Sequence, residues 1–461
     1  MISVNKKVLP VLISAALLGA CKDSSDNSSS NSSGGHQTSG FDVNEAGRVV
    51  ITSASEEAPE VGIFDSQDGD LISRLDLNYP VTGLSSSPQS RYALIAQKSD
   101  NQVQILDGGL YQEDHGDHLH PYEQDPEILS QIFSGTNPHH VRNNEDHAAF
   151  YFDGDSSKGL LSSIIAFDDD KIANNSARTL ELDYAIHGAA EPVEDYILTT
   201  YRVDAETGSA NLPNKVKVYQ YNSTSGLYDD FKTFDELCPS LHGSFSTEDA
   251  SVFGCLDGLL VIHNDDDIFT AEKVAYNSRF TGFSGHPDSH VIAGWSNKEL
   301  YAIDLGDDHD ATDSEEHDAE EHAITITPVN WRGDDAIDEN AVYKTAHMDD
   351  EGNVLMVLDT TGKLHILHAE NDSFVHEDTI QVLDWSEGDS DVSIASSGAS
   401  EYVYITDKAN GKLVVINIEH TDEGKLSFDL PFTPSYVTWV GIPGEAEEHD
   451  HDDDDHEGHD H

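Results

Sequence analysis

Cationic side chains are scarce in this chain: 24 lysines and arginines stand against 88 aspartates and glutamates, for a formal net charge of -64. That balance excludes nucleic acid and anionic lipid as electrostatic partners and favours cations. Cysteine is scarcer still, at 3 in 461 residues, so at most one bridge can form within the chain. No nucleophile elbow and no dinucleotide-binding glycine motif is present. Long apolar runs are missing as well, because Val8 to Leu18 is too short to span a membrane as a permanent helix. Helical periodicity is absent after Gly47, where nearly every segment is a short strand between turn signals, and the fold class is therefore all-β.

What the chain does have begins with an address. Lys6 and Lys7, the apolar run and Leu18-Gly19-Ala20-Cys21 form a lipoprotein signal peptide, residues 1–20, which resembles a bacterial lipobox. Cleavage before Cys21 leaves that cysteine for lipidation, and Lys22 rather than Asp beside it points to the outer membrane by analogy. Residues 21–46 are a Ser/Asn/Gly-rich tether with nothing to bury. Cys238 and Cys255 then remain as a pair in an oxidising periplasm, where a disulfide is expected.

Residues 47–444 carry a repeat. Hairpins such as Arg91–Gln97 with Gln102–Leu106, and Ser251–Gly254 with Leu259–His263, recur with first-strand starts at Thr82-Gly83, His140, His187-Gly188, His242-Gly243, Thr281-Gly282, His347, near Ser393 and near Tyr436. Spacings of about 40 to 65 residues fit the blades of a single β-propeller, eight in number. The last strand has no partners after it and the first three lack one before them, so the C-terminal strand is expected to close the ring.

In a propeller the first strands line the channel, so His140, His187, His242 and His347 are expected in one ring at one mouth. Imidazoles suit Zn(II), Cu(II) or Ni(II), and three of them with a carboxylate or water make a tetrahedral zinc site. Acid and histidine alternate in three further tracts, Asp114 to His120, Asp307 to His322 and the tail at residues 445–461. They offer His118 and His120 as a chelating HxH, with weaker sites at His115, His309, His317, His322, His449, His451, His456, His459 and His461. Strand order puts these tracts on the face opposite the ring.

Several of these residues carry a resemblance: Gly116-Asp117-His118-Leu119-His120 with Asp125-Pro126, Asn137-Pro138-His139-His140-Val141, Ile186-His187-Gly188, Cys238-Pro239-Ser240-Leu241-His242-Gly243, and Phe253 to Gly258. Together they resemble the AztD family of periplasmic zinc metallochaperones, over most of the chain from about Gly47 to Gly441. The resemblance implies a β-propeller that binds zinc through histidines and passes it to the solute-binding protein of a zinc ABC transporter, without being an enzyme. It assigns zinc binding to His118, His120, His140, His187 and His242, while His347 comes from the repeat alignment. Expected, then, is a monomeric, lipid-anchored zinc chaperone or buffer on the periplasmic side of the envelope. An interaction propeller and a metal-dependent propeller enzyme are the alternatives.

Overall fold

A computed structural model describes residues 47–114, 119–202, 212–265, 267–306, 323–333, 341–385 and 391–444. Eight four-stranded antiparallel sheets follow one another along the chain, with one extra two-stranded hairpin among the described residues. The first blade combines Gly47–Ser53, Glu60–Asp65 and Leu71–Asp76 with Pro434–Gly441 from the far end of the sequence. Gly47 pairs with Gly441 and Val49 with Trp439, so the ring closes by strand exchange and leaves no innermost strand missing.

The second strand of each blade explains why the sequence folds this way. Tyr92–Gln97, Ala250–Cys255, Val291–Ser296, Val354–Asp359 and Tyr402–Asp407 are buried at every position. Both of their faces pack against neighbouring blades, so a continuous apolar run is what the position requires. Outer strands alternate instead, as Leu71–Asp76 does with its exposed and half-exposed residues.

Eight hydrophobic clusters lie between successive blades all the way round. One joins Val50 and Ile63 of the first blade to Ile95 and Leu106 of the second, and another joins Tyr404 and Val415 of the eighth to Val49 and Trp439 of the first. Each Val, Leu or Ile so buried contributes about 1.5–3 kcal/mol relative to exposure. Closure therefore rests on the same apolar packing as every other interface.

Strand starts differ from the sequence reading at the four histidine-bearing blades, that of Pro138–Asn144 lying two residues before His140. The first strands begin at Ala190 and Ser244, three and two residues after His187 and His242, so both histidines sit on the approach to the channel. His347 is the fifth residue of Tyr343–Met348 and lies well along its strand rather than at its start. First strands here run from three to eight residues, as in Ser244–Ser246 and Pro434–Gly441, so an alignment on hairpins misplaces their beginnings.

Candidate metal centre

Three successive blades deliver imidazoles to one mouth of the channel, each held by a different local device. On Pro138–Asn144 the pairing slips: Pro138 faces Phe152 and His140 faces Tyr151, leaving His139 as the extra residue of a bulge. A bulge re-aims a side chain, so two consecutive residues, which normally alternate, can share a side. The rings of His139 and His140 are 4.3 Å apart.

His187 is fixed through its flanking peptides. The Ile186 N–H donates to Ser162 Oγ at 3.0 Å, and the Ile186 carbonyl accepts from Tyr151 Oη at 3.3 Å. Next to it, a Cβ on Gly188 would stand 2.2 Å from Thr200 Oγ1, so only glycine fits.

His242 hangs from the Cys238–Cys255 disulfide, whose Cα atoms are 4.8 Å apart. Its N–H donates to the Gly254 carbonyl at 3.0 Å, and Gly254 returns a bond to Gly243 at 3.1 Å. Gly243 takes φ +80° beside the Thr281 carbonyl, a left-handed conformation that glycine accepts without cost from a Cβ.

The ligand nitrogens of His139, His140 and His187 lie within 4.8 Å of one another. The His187 ring is 4.5 Å from that of His139, 5.1 Å from His140 and 5.6 Å from His242. Behind them sits Asp153, whose side chain is 6% exposed. Its Oδ2 accepts from His187 Nδ1 at 3.0 Å and from Asn137 Nδ2 at 3.2 Å, and lies 3.4 Å from His139 Nδ1. A carboxylate bonded to Nδ1 leaves Nε2 as the lone-pair nitrogen, the arrangement that prepares an imidazole for a metal. His242 is set the same way, with Nδ1 donating to the Thr281 carbonyl at 3.0 Å.

Burial favours the neutral form of His139, His140 and His242. Burial, followed by the charge of Arg142, pulls His140 down to about 2. His139 and His242 are lowered as well, each chiefly by burial. An uncharged imidazole is the ligating form, so burial favours the charge state these three rings need to take a cation.

The other expected site residues lie elsewhere. His347 accepts the Ser396 N–H at its Nε2, 3.2 Å away, and burial lowers it to about 4. The structure does not bring it to the three-histidine group. His120 lies on a hairpin, Leu110–Asp114 with Leu119–Glu123, inserted between the third and fourth strands of the second blade. That hairpin leaves the opposite face, and the His120 ring rests 4.8 Å from Tyr122. His115, His118, His309, His317, His322 and the tail histidines fall outside the described residues, as does Cys21. Their neighbours Asp304 and Gly441 end strands that run toward that same opposite face. Sequence reasoning quoted His139 without counting it as a ligand, and missed Asp153; the His-His doublet was the available signal for the first.

Over 417 residues the chain is 22% identical to the zinc chaperone AztD of Citrobacter koseri, covering 88% of this chain and 90% of that one. This chain is similar to AztD. Two crystal structures of C. koseri AztD, one of them the apo form, superpose with TM-scores of 0.69 and 0.68 at 19% identity, over 87% of this chain and 99% of theirs. That likeness to AztD establishes the eight-bladed fold. No family model matches the sequence.

Proposed function

We propose that this protein is a zinc metallochaperone or buffer of the bacterial envelope, carrying zinc as cargo rather than using it for catalysis. The observation that carries this reading is the convergence of His139, His140 and His187 to within 4.8 Å, from two blades adjacent in the ring. The chemistry of the donors fits zinc, a borderline ion that takes imidazole nitrogen in tetrahedral sites. Zinc bonds of about 2.0–2.1 Å bring tetrahedral ligand atoms to roughly 3.4 Å apart, so modest ring rotations close the set. His242 stands beside the trio as a fourth imidazole.

The similarity to AztD supports zinc as the cargo, and the signal-like N-terminus supports a lipid-anchored location on the periplasmic side. Transfer to the solute-binding protein of a zinc ABC transporter completes the reading. The acid and histidine tracts serve as collectors that raise the local cation concentration.

Zinc content and affinity of the intact protein beside a His140→Ala/His187→Ala variant test the proposal. Tight zinc in the parent and its loss in the variant are expected. Equal zinc in both would move the site to the tracts. Hydrolytic turnover by the zinc-loaded parent would favour the enzyme alternative.

A further inference from the structure

A lysine from a different blade already occupies one nitrogen of the cluster. Lys98 follows the second strand of the second blade, Tyr92–Gln97, and opens the short 3-10 turn Lys98–Asp100. Its Nζ lies 2.9 Å from His139 Nδ1. The placement is built rather than incidental, because the turns that carry the two residues are bonded together. Asn101, which ends the Lys98 turn, accepts the Gly135 N–H at its carbonyl and the Asn137 N–H at its Oδ1, at 3.1 and 3.0 Å. The Lys98 N–H itself donates to Thr82 Oγ1 at 3.2 Å.

An ammonium has donors and no acceptor, so Nδ1 of His139 must receive the bond and the ring proton must sit on Nε2. With Lys98 in place, one nitrogen of His139 is taken and the other carries hydrogen. Neither offers a lone pair to a metal. Asp153 Oδ2, 3.4 Å from the same Nδ1, is the opposite kind of partner, since it can only accept. His139 therefore has two alternative partners on one nitrogen, and only the carboxylate leaves Nε2 open for coordination.

We propose that Lys98 is a positioning residue for metal exchange, a tethered cation that holds His139 off the ion and competes with zinc for it. This rests on the zinc reading above. His140 and His187 hold the ion, while His139 alternates between the ion with Asp153 behind it and the ammonium of Lys98. An incoming positive charge must also displace Lys98 from beside the ring, which loosens binding and speeds release.

The test compares the intact parent with Lys98→Met, Lys98→Gln and Lys98→Arg. Zinc release to a chromophoric chelator should slow about tenfold in the Met and Gln variants, the size of one charge-assisted hydrogen bond. Lys98→Arg, which keeps a cationic donor, should release zinc as the parent does. Imidazole nitrogen spectra of the metal-free proteins read the bond directly: His139 should carry its proton on Nε2 in the parent and shift toward Nδ1 in Lys98→Met. Unchanged release in both neutral variants, or an unchanged His139 tautomer, overturns the proposal. Because the spectra need no metal, failure of the zinc reading would appear separately, as a parent protein that binds no zinc at the cluster.

Discussion

Two histidine networks in this molecule look alike in composition and differ in what they leave unused. In the seventh blade His365 bonds Asp359 Oδ2 through Nε2 at 3.2 Å and Thr379 Oγ1 through Nδ1 at 3.1 Å, edge-on to Trp331 at 5.0 Å. Both nitrogens are spent, and the side chain is 6% exposed. At the channel mouth His187 also bonds a buried aspartate, but through one nitrogen only, with two further imidazoles within coordination reach. A histidine beside a carboxylate is thus a structural strut when both nitrogens are bonded and a candidate ligand when one keeps its lone pair.

Exchanging the two roles by mutation gives the largest expected effects. His187→Ala should abolish tight zinc binding with only a modest loss of stability, because Asn137 Nδ2 remains on Asp153 Oδ2. His365→Ala should retain zinc but destabilise the fold by about 1–3 kcal/mol, because it leaves Asp359 Oδ2 buried without its partner. Zinc titration and thermal melts on both variants check this, and matching losses in each would erase the distinction between the networks.

Asp153→Asn sharpens it further. The aspartate touches the His rings from behind, and loss of such a partner typically costs 10–100-fold in metal affinity. A chelator competition should show a drop of roughly that size, whereas Asp359→Asn should leave zinc affinity unchanged.

The smallest effect is on pH dependence. His139, His140 and His242 are all lowered from their ordinary value, mainly by burial, so their neutral forms persist below about pH 6.5. Zinc loss on acidification should consequently begin at a lower pH than at a site built of ordinary histidines. For the metal-free protein the sign follows from linkage. Unfolded histidines take up protons below about 6.5 while these stay neutral, so stability falls as pH drops from 6.5 toward the folded values. His347, held near 4, belongs to the same group, and His347→Asn should flatten that slope in melts taken between pH 6.5 and 4.

Much of this was legible in the residue order. Second strands buried on both faces read as continuous apolar runs, and turns such as Asp257-Gly258 and Asn410-Gly411 mark where hairpins reverse. Histidine followed by glycine at His187 and His242 was also visible, with the packing at Gly188 and the left-handed Gly243 as its physical reasons. The misplacement of His347 arose because strand length inside a repeat varies without a local signal. His139 joins the cluster through a bulge, and a bulge is a property of pairing between strands rather than of either strand alone.

By itself, then, the sequence determined the all-β class, the eightfold repeat, closure of the ring by its last strand and the Cys238–Cys255 pair. These depend on local patterning and counting. Only the tertiary structure decided which histidines meet, that Asp153 stands behind two of them, and that Lys98 of the neighbouring blade faces His139. The physical reason is range: coordination and hydrogen bonding act over about 2–3 Å, and residues far apart in the chain reach that distance only when blades pack.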